Sequence, residues 1–151
     1  MAKFNVVGLD GIMAEINRRT QKAVEKIPKI LEAGAAVLVE AQKEEAKTLD
    51  IEDTGDFIKS IKADKIKTDD SGNHYVEVYP HGKDRKGESN AEKGFIAEFG
   101  RTGDKNRTKV RSKKYKYASL SPRPWMTAAN EKSAAAVNEA MLEVWEDNGD
   151  G

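Results

Sequence analysis

His74 and His81 supply the only imidazoles in the chain. They bracket Tyr75 to Tyr79, a run that alternates at the period of a strand. A regular strand puts them on opposite faces, with no carboxylate at ligand spacing, so the pattern does not build a metal centre. Cysteine is absent, which removes thiolate metal sites, disulfides and cysteine nucleophiles. Ser60, Ser119 and Ser121 lack the tight glycine-flanked turn that exposes a serine nucleophile. Glu92 and Glu98 do not share a helical face and form no acid–base pair. The glycines between Gly94 and Gly103 have no Gly-Lys-Thr/Ser after them, and the adjoining helix precedes Gly100 rather than following it, so no phosphate cradle is predicted. The expected chemistry is association without catalysis, and no cofactor or metal is expected.

The strongest charge feature is a basic run. Arg101, Lys105, Arg107, Lys109, Arg111, Lys113, Lys114 and Lys116 stand against one acid, Asp104. Alternation from Arg107 to Arg111 sets three cations on one face of an extended arm. Read from charge alone, residues 101–117 are either a solvated, mobile loop or an arm that meets nucleic acid phosphates or an acidic neighbouring subunit. Tyr115 and Tyr117 add aromatic contacts but no stacking platform. The acidic end from Glu143 to Asp150 is an alternative partner, within the subunit or between subunits. Two apolar knots, Phe95/Ile96/Phe99 and Trp125/Met126, flank the arm, and Phe99 and Trp125 are expected in the core.

The elements that must carry these residues follow from apolar spacing. The 151 residues suit a single domain, 1–151, with 38% hydrophobic and 34% charged residues and a formal net charge of zero. Neutral overall charge argues against a protein built throughout for nucleic acid. The low apolar share fits a thin domain with long exposed helices, or one that completes its burial by assembly. No signal pattern opens the chain and no run reaches membrane-spanning length, which predicts a soluble protein.

From Ile12, the apolar residues Ile16, Ala23, Ile27, Ile30, Leu31, Gly34, Val37, Leu38 and Ala41 mark one helical stripe. Asp10 is the expected N-cap, and Pro28 is expected to kink or briefly break the helix. A short helical turn over Phe57, Ile58 and Ile61 follows, capped by Asp53 or Thr54. Lys62 to Thr68 reads as a strand, Asp69 to Asn73 as a turn, and Tyr75 to Tyr79 as the clearest strand, with Val76 and Val78 facing the helices. Ala91 to Phe99 reads as a short helix closed by Gly100, and Tyr115 to Leu120 as a further strand. Pro124 is placed to open a last helix running to about Asp147, and the tail 148–151 frays. The expected fold is α+β, a small antiparallel β-sheet packed against a long N-terminal helix and a long C-terminal helix.

Three segments, in order, resemble one phage family. Thr54-Gly55-Asp56-Phe57-Ile58-Lys59-Ser60-Ile61 resembles its Thr-Gly-x-Leu-x-x-Ser-Ile signature. Phe95-Ile96-Ala97-Glu98-Phe99-Gly100-Arg101-Thr102 is similar to its Tyr-Val-Glu-Phe-Gly-Thr segment. Pro124-Trp125-Met126-Thr127-Ala128-Ala129 resembles its Pro-Phe-Leu-Arg-Pro-Ala entry into the last helix. The family is that of the tenth gene product of phage Hong Kong 97, whose members are tail-component, neck or tail-completion proteins. Arg101 stands between the Gly and Thr that adjoin in the family, and Ala128 replaces a proline.

The resemblance implies a structural protein of the virion that forms a homo-oligomeric ring between head and tail. Its partners would be neighbouring head-closure and tail proteins, with DNA in the lumen as a further contact, and assembly would take place in the bacterial host cytoplasm. Thr54, Gly55, Phe57, Ser60, Ile61, Glu98, Phe99, Gly100, Pro124 and Trp125 are then structural motif residues. The rival expectation is a nucleic-acid-binding module that uses the 101–116 arm.

Overall fold

A computed structural model of the chain describes residues 9–51, 55–103 and 119–147. The first element, α1, is a helix over Leu9–Thr48. It runs unbroken through Pro28, which is exposed. A proline leaves the carbonyl one turn earlier without its helical donor. Here that carbonyl belongs to Val24, itself exposed, so water can replace the lost bond. The helix starts before Asp10, which therefore sits inside the first turn and not at the expected N-cap. At the other end, Asp50 adopts a left-handed conformation (φ 50°) and Ile51 N–H donates to Ala46 O at 3.0 Å, turning the chain back on itself.

A short helix, α2 (Asp56–Ser60), leads into an interrupted hairpin. Strand β1 (Ile61–Ala63) pairs antiparallel with β4 (Val78–Pro80), matching Ile61 to Pro80 and Ala63 to Val78. Further out, β2 (Lys67–Thr68) pairs with β3 (His74–Tyr75). Asp69 closes the tip by accepting from the backbone N–H groups of Ser71 and Asn73 at 2.9 and 2.8 Å. The strand expected over Tyr75 to Tyr79 is thus divided, and so is the one expected over Lys62 to Thr68. Between the two ladders, Lys67 Nζ reaches both Asp64 (2.8 Å) and Glu77 (2.6 Å). That charge cluster holds the strands together where the regular ladder lapses.

Helix α3 (Asn90–Phe99) follows, then α4 (Trp125–Glu146). The chain is α+β, as its sequence pattern predicts. α4 lies antiparallel along α1: Lys132 bonds Glu45 at 2.6 Å, Val137 and Met141 lie against Gly34, and Lys26 reaches the end of α4. The core sits where helices α1 to α4 meet the β1–β4 ladder, around Ala46, Phe57, Ile61, Ala97 and Trp125. Leu49, Ile51, Ile58, Val78 and Met126 pack around it.

Candidate functional site

The three motif segments converge on one joint. Trp125 is fully buried and meets the Phe57 ring edge-on, with centroids 5.4 Å apart. Its indole N–H donates to Gly94 O at 3.0 Å, so the polar edge of the ring is satisfied inside the core. Gly94 makes room for this packing. A Cβ there would stand 3.1 Å from Pro80, 3.2 Å from Trp125 and 3.3 Å from Phe57.

Glu98 completes the joint. The residue is 4% exposed, and its carboxyl group accepts from Met126 N (2.7 Å), Thr127 N (3.2 Å) and Thr127 Oγ1 (2.5 Å). Pro124 at the N-cap offers no side-chain acceptor, so a residue from α3 caps α4 instead. Arg123 does the reciprocal service for α1, donating to the carbonyls of Leu49 (3.2 Å) and Asp50 (2.7 Å). Ile61 is fully buried, and the Ser60 hydroxyl turns back to donate to Phe57 O at 2.6 Å. Gly55 precedes α2 with φ 74°, and Thr54 lies outside the described residues.

Gly100 caps α3 with φ 73°, and a Cβ on it would meet the Leu120 carbonyl at 2.6 Å. That close approach belongs to the base of the basic arm. Arg101 and Leu120 exchange both backbone hydrogen bonds, at 3.0 and 2.9 Å, which brings the two ends of the intervening segment to one point. Lys105, Arg107, Lys109, Arg111, Lys113, Lys114 and Lys116 lie outside the described residues, as do Tyr115 and Tyr117.

Phe99 is a correction to the sequence expectation. It is 60% exposed, as is Phe95, and the two rings touch each other at 4.7 Å on the outer side of α3. The inward side of α3 carries Gly94, Ala97 and Glu98. Trp125 occupies the space in front of that side, so only small residues and the capping glutamate fit. A ranking by hydrophobicity points the helix the wrong way round.

Both histidines are engaged by neighbouring side chains. His74 Nδ1 lies 2.9 Å from Thr68 Oγ1, and His81 stacks on Tyr79 at 4.0 Å. Among the described residues no group of three His, Cys, Asp or Glu could hold a metal ion. A polar cleft of about 800 Å³ lies beside α2 and the 83–90 loop. Arg85 there is tied to Asp56 at 2.8 Å, and Lys93 to Asp84 and Glu88. The Lys93 ammonium, followed by the Glu88 N–H, holds the Asp84 carboxyl below the usual aspartate range. No described helix is long and apolar enough to cross a membrane.

Surface apolar residues are the other candidates. Met13, Ile16 and Val24 on α1, Leu142 and Trp145 on α4, and Phe95 and Phe99 on α3 are each at least half exposed.

A family model described as "Bacteriophage HK97-gp10, putative tail-component" matches residues 10–120. The match takes in the first two motif segments and stops before Trp125, the residue that fills the hollow between them. No curated protein and no solved structure matches the chain.

Proposed function

The chain belongs to the HK97-gp10-like family of phage tail components, and from that membership we propose that it acts by ring assembly in the head–tail connector, neck or tail-completion complex. It is a structural phage protein and a component of the virion. Its action in this reading is association, with no reaction catalysed. The ring is homo-oligomeric and stands between head and tail, against neighbouring head-closure and tail proteins, and it is put together in the host cytoplasm.

The family match carries the proposal. The rigid joint and the exposed apolar faces support it physically. A ring subunit must hold its shape while presenting different patches to two neighbours. The buried joint of Phe57, Glu98 and Trp125 provides the first property, and the exposed residues of α1, α3 and α4 provide surface for the second.

Deleting the gene from the phage tests the reading. Filled heads and separate tails in electron micrographs, with infectivity restored by the gene in trans, are the expected result. Intact infectious particles without the protein would overturn it, as would its absence from purified virions by mass spectrometry.

A further inference from the structure

α1 outruns its partner. Lys26 Nζ donates to the carbonyls of Trp145 (3.1 Å) and Asp147 (2.9 Å), which marks where α4 ends against α1. From there α1 continues back to Leu9, an overhang of ~26 Å at the usual rise. With about 100° of turn per residue, Ile16 leaves the helix in the same direction as Gly34, and Met13 within about 60° of it. Gly34 is where Val137 and Met141 pack. The face that α4 covers lower down therefore continues past the end of α4, carrying Met13 and Ile16 at 51% exposure and Val24 at its edge. Arg19 lies on one flank, about 60° from Ile16, with Lys22 further round and Glu15 bonded to both Arg18 and Arg19.

The last turns of α4 bear the complement. Leu142 and Trp145 are exposed, and Glu139, Glu143 and Glu146 stand on the solvent side around Leu142. The negative end of the helix dipole adds to this acidic field.

We infer that the α1 overhang of one copy docks on the outer end of α4 in a second copy of this chain. Met13, Ile16 and Val24 meet Leu142 and Trp145, with Arg19 against the glutamates. The two patches are different surfaces of one subunit, so the contact is heterologous and propagates until rotation closes it. The inference rests on the ring-assembly reading and names the surfaces that meet.

Sedimentation velocity of the full chain over a concentration series tests it, with Ile16→Asp and Leu142→Asp as variants. Wild type should form larger species, and each variant alone should stay monomeric. An equimolar mixture of the two variants should stop at a one-to-one dimer, because one matched pair of surfaces survives. Both sites are exposed, so monomer helicity and Tm should not change.

Assembly of either variant at wild-type concentrations overturns the inference. So do Leu142→Asp dimers, which would signal symmetric pairing of overhangs. A drop in Tm for Ile16→Asp at concentrations where wild type is also monomeric overturns it too, because that face would then be covered within one chain. A wild type that is monomeric to its solubility limit does the same. Rings that survive both substitutions would leave the ring reading standing and these surfaces wrong. Open oligomers that never close, lost in both variants, would keep the contact and remove the ring. As a second measurement, Ile16→Cys with Leu142→Cys, in a chain with no other cysteine, should give a ladder of disulfide-linked oligomers. No ladder overturns the contact.

Discussion

Glu98 caps α4 from α3, accepting from Met126 N, 28 residues further along the chain. Removing it leaves two N–H groups and a hydroxyl at the start of α4 without their acceptor, next to the buried Trp125. Glu98→Ala should lower the unfolding free energy by about 2–3 kcal/mol in urea titration, the sum expected from a lost cap and a buried unsatisfied group. Glu98→Gln should cost less, because its carbonyl oxygen still accepts while its amide opposes one backbone N–H. Equal losses in both variants would show that bulk, and not acceptance, is what α4 requires. Family resemblance marks Glu98 and Trp125 in the sequence, but nothing local reveals that they bond one another's elements. Phe99 illustrates the opposite failure. Its hydrophobicity points inward, yet the space belongs to Trp125 and the ring stays outside.

At the scale of elements, the 81–90 loop is held to α3 by Lys93, which bonds Asp84 and Glu88. Asp84 also accepts from the N–H groups of Lys86 (2.8 Å) and Glu88 (2.9 Å), and Ser89 accepts from Glu92 N to start the helix. These bonds favour the ionised carboxyl, so its pKa is lower folded than unfolded. Its contribution to stability is present above the ordinary aspartate value of about 3.9 and is lost as pH falls through the folded value. Asp84→Asn should therefore flatten the acid limb of the stability curve below about pH 4 and speed amide exchange at Lys86 and Glu88. An acid limb identical to wild type would refute that assignment. The hairpin shows how far element patterns reach. Alternation over Tyr75 to Tyr79 locates a strand, but the lapse between β3 and β4 depends on cross-strand partners such as Asp64 and Lys67, which spacing along one strand does not contain.

For the whole molecule, α1 has two regimes. Its half beside α4 and the sheet includes the buried Ala35, Gln42 and Ala46, whereas the overhang is exposed along nearly every described side chain. A lone helix of that length is marginal in water. Amides before Glu25 should exchange far faster than those from Gly34 to Ala46 in dilute protein, and gain protection as concentration rises, measured by hydrogen exchange with mass spectrometry. Uniform protection along α1 at every concentration would contradict this. The helices, the turn at Asp69, the cap at Gly100 and the family itself were determined by sequence alone, because each depends on spacing, on backbone conformation or on short motifs. Which side of α3 faces inward, which residue caps α4 and where α1 loses its partner were decided only by tertiary structure. Those outcomes depend on which side chain occupies a shared volume, and on the unequal lengths of two helices that meet far apart in the chain.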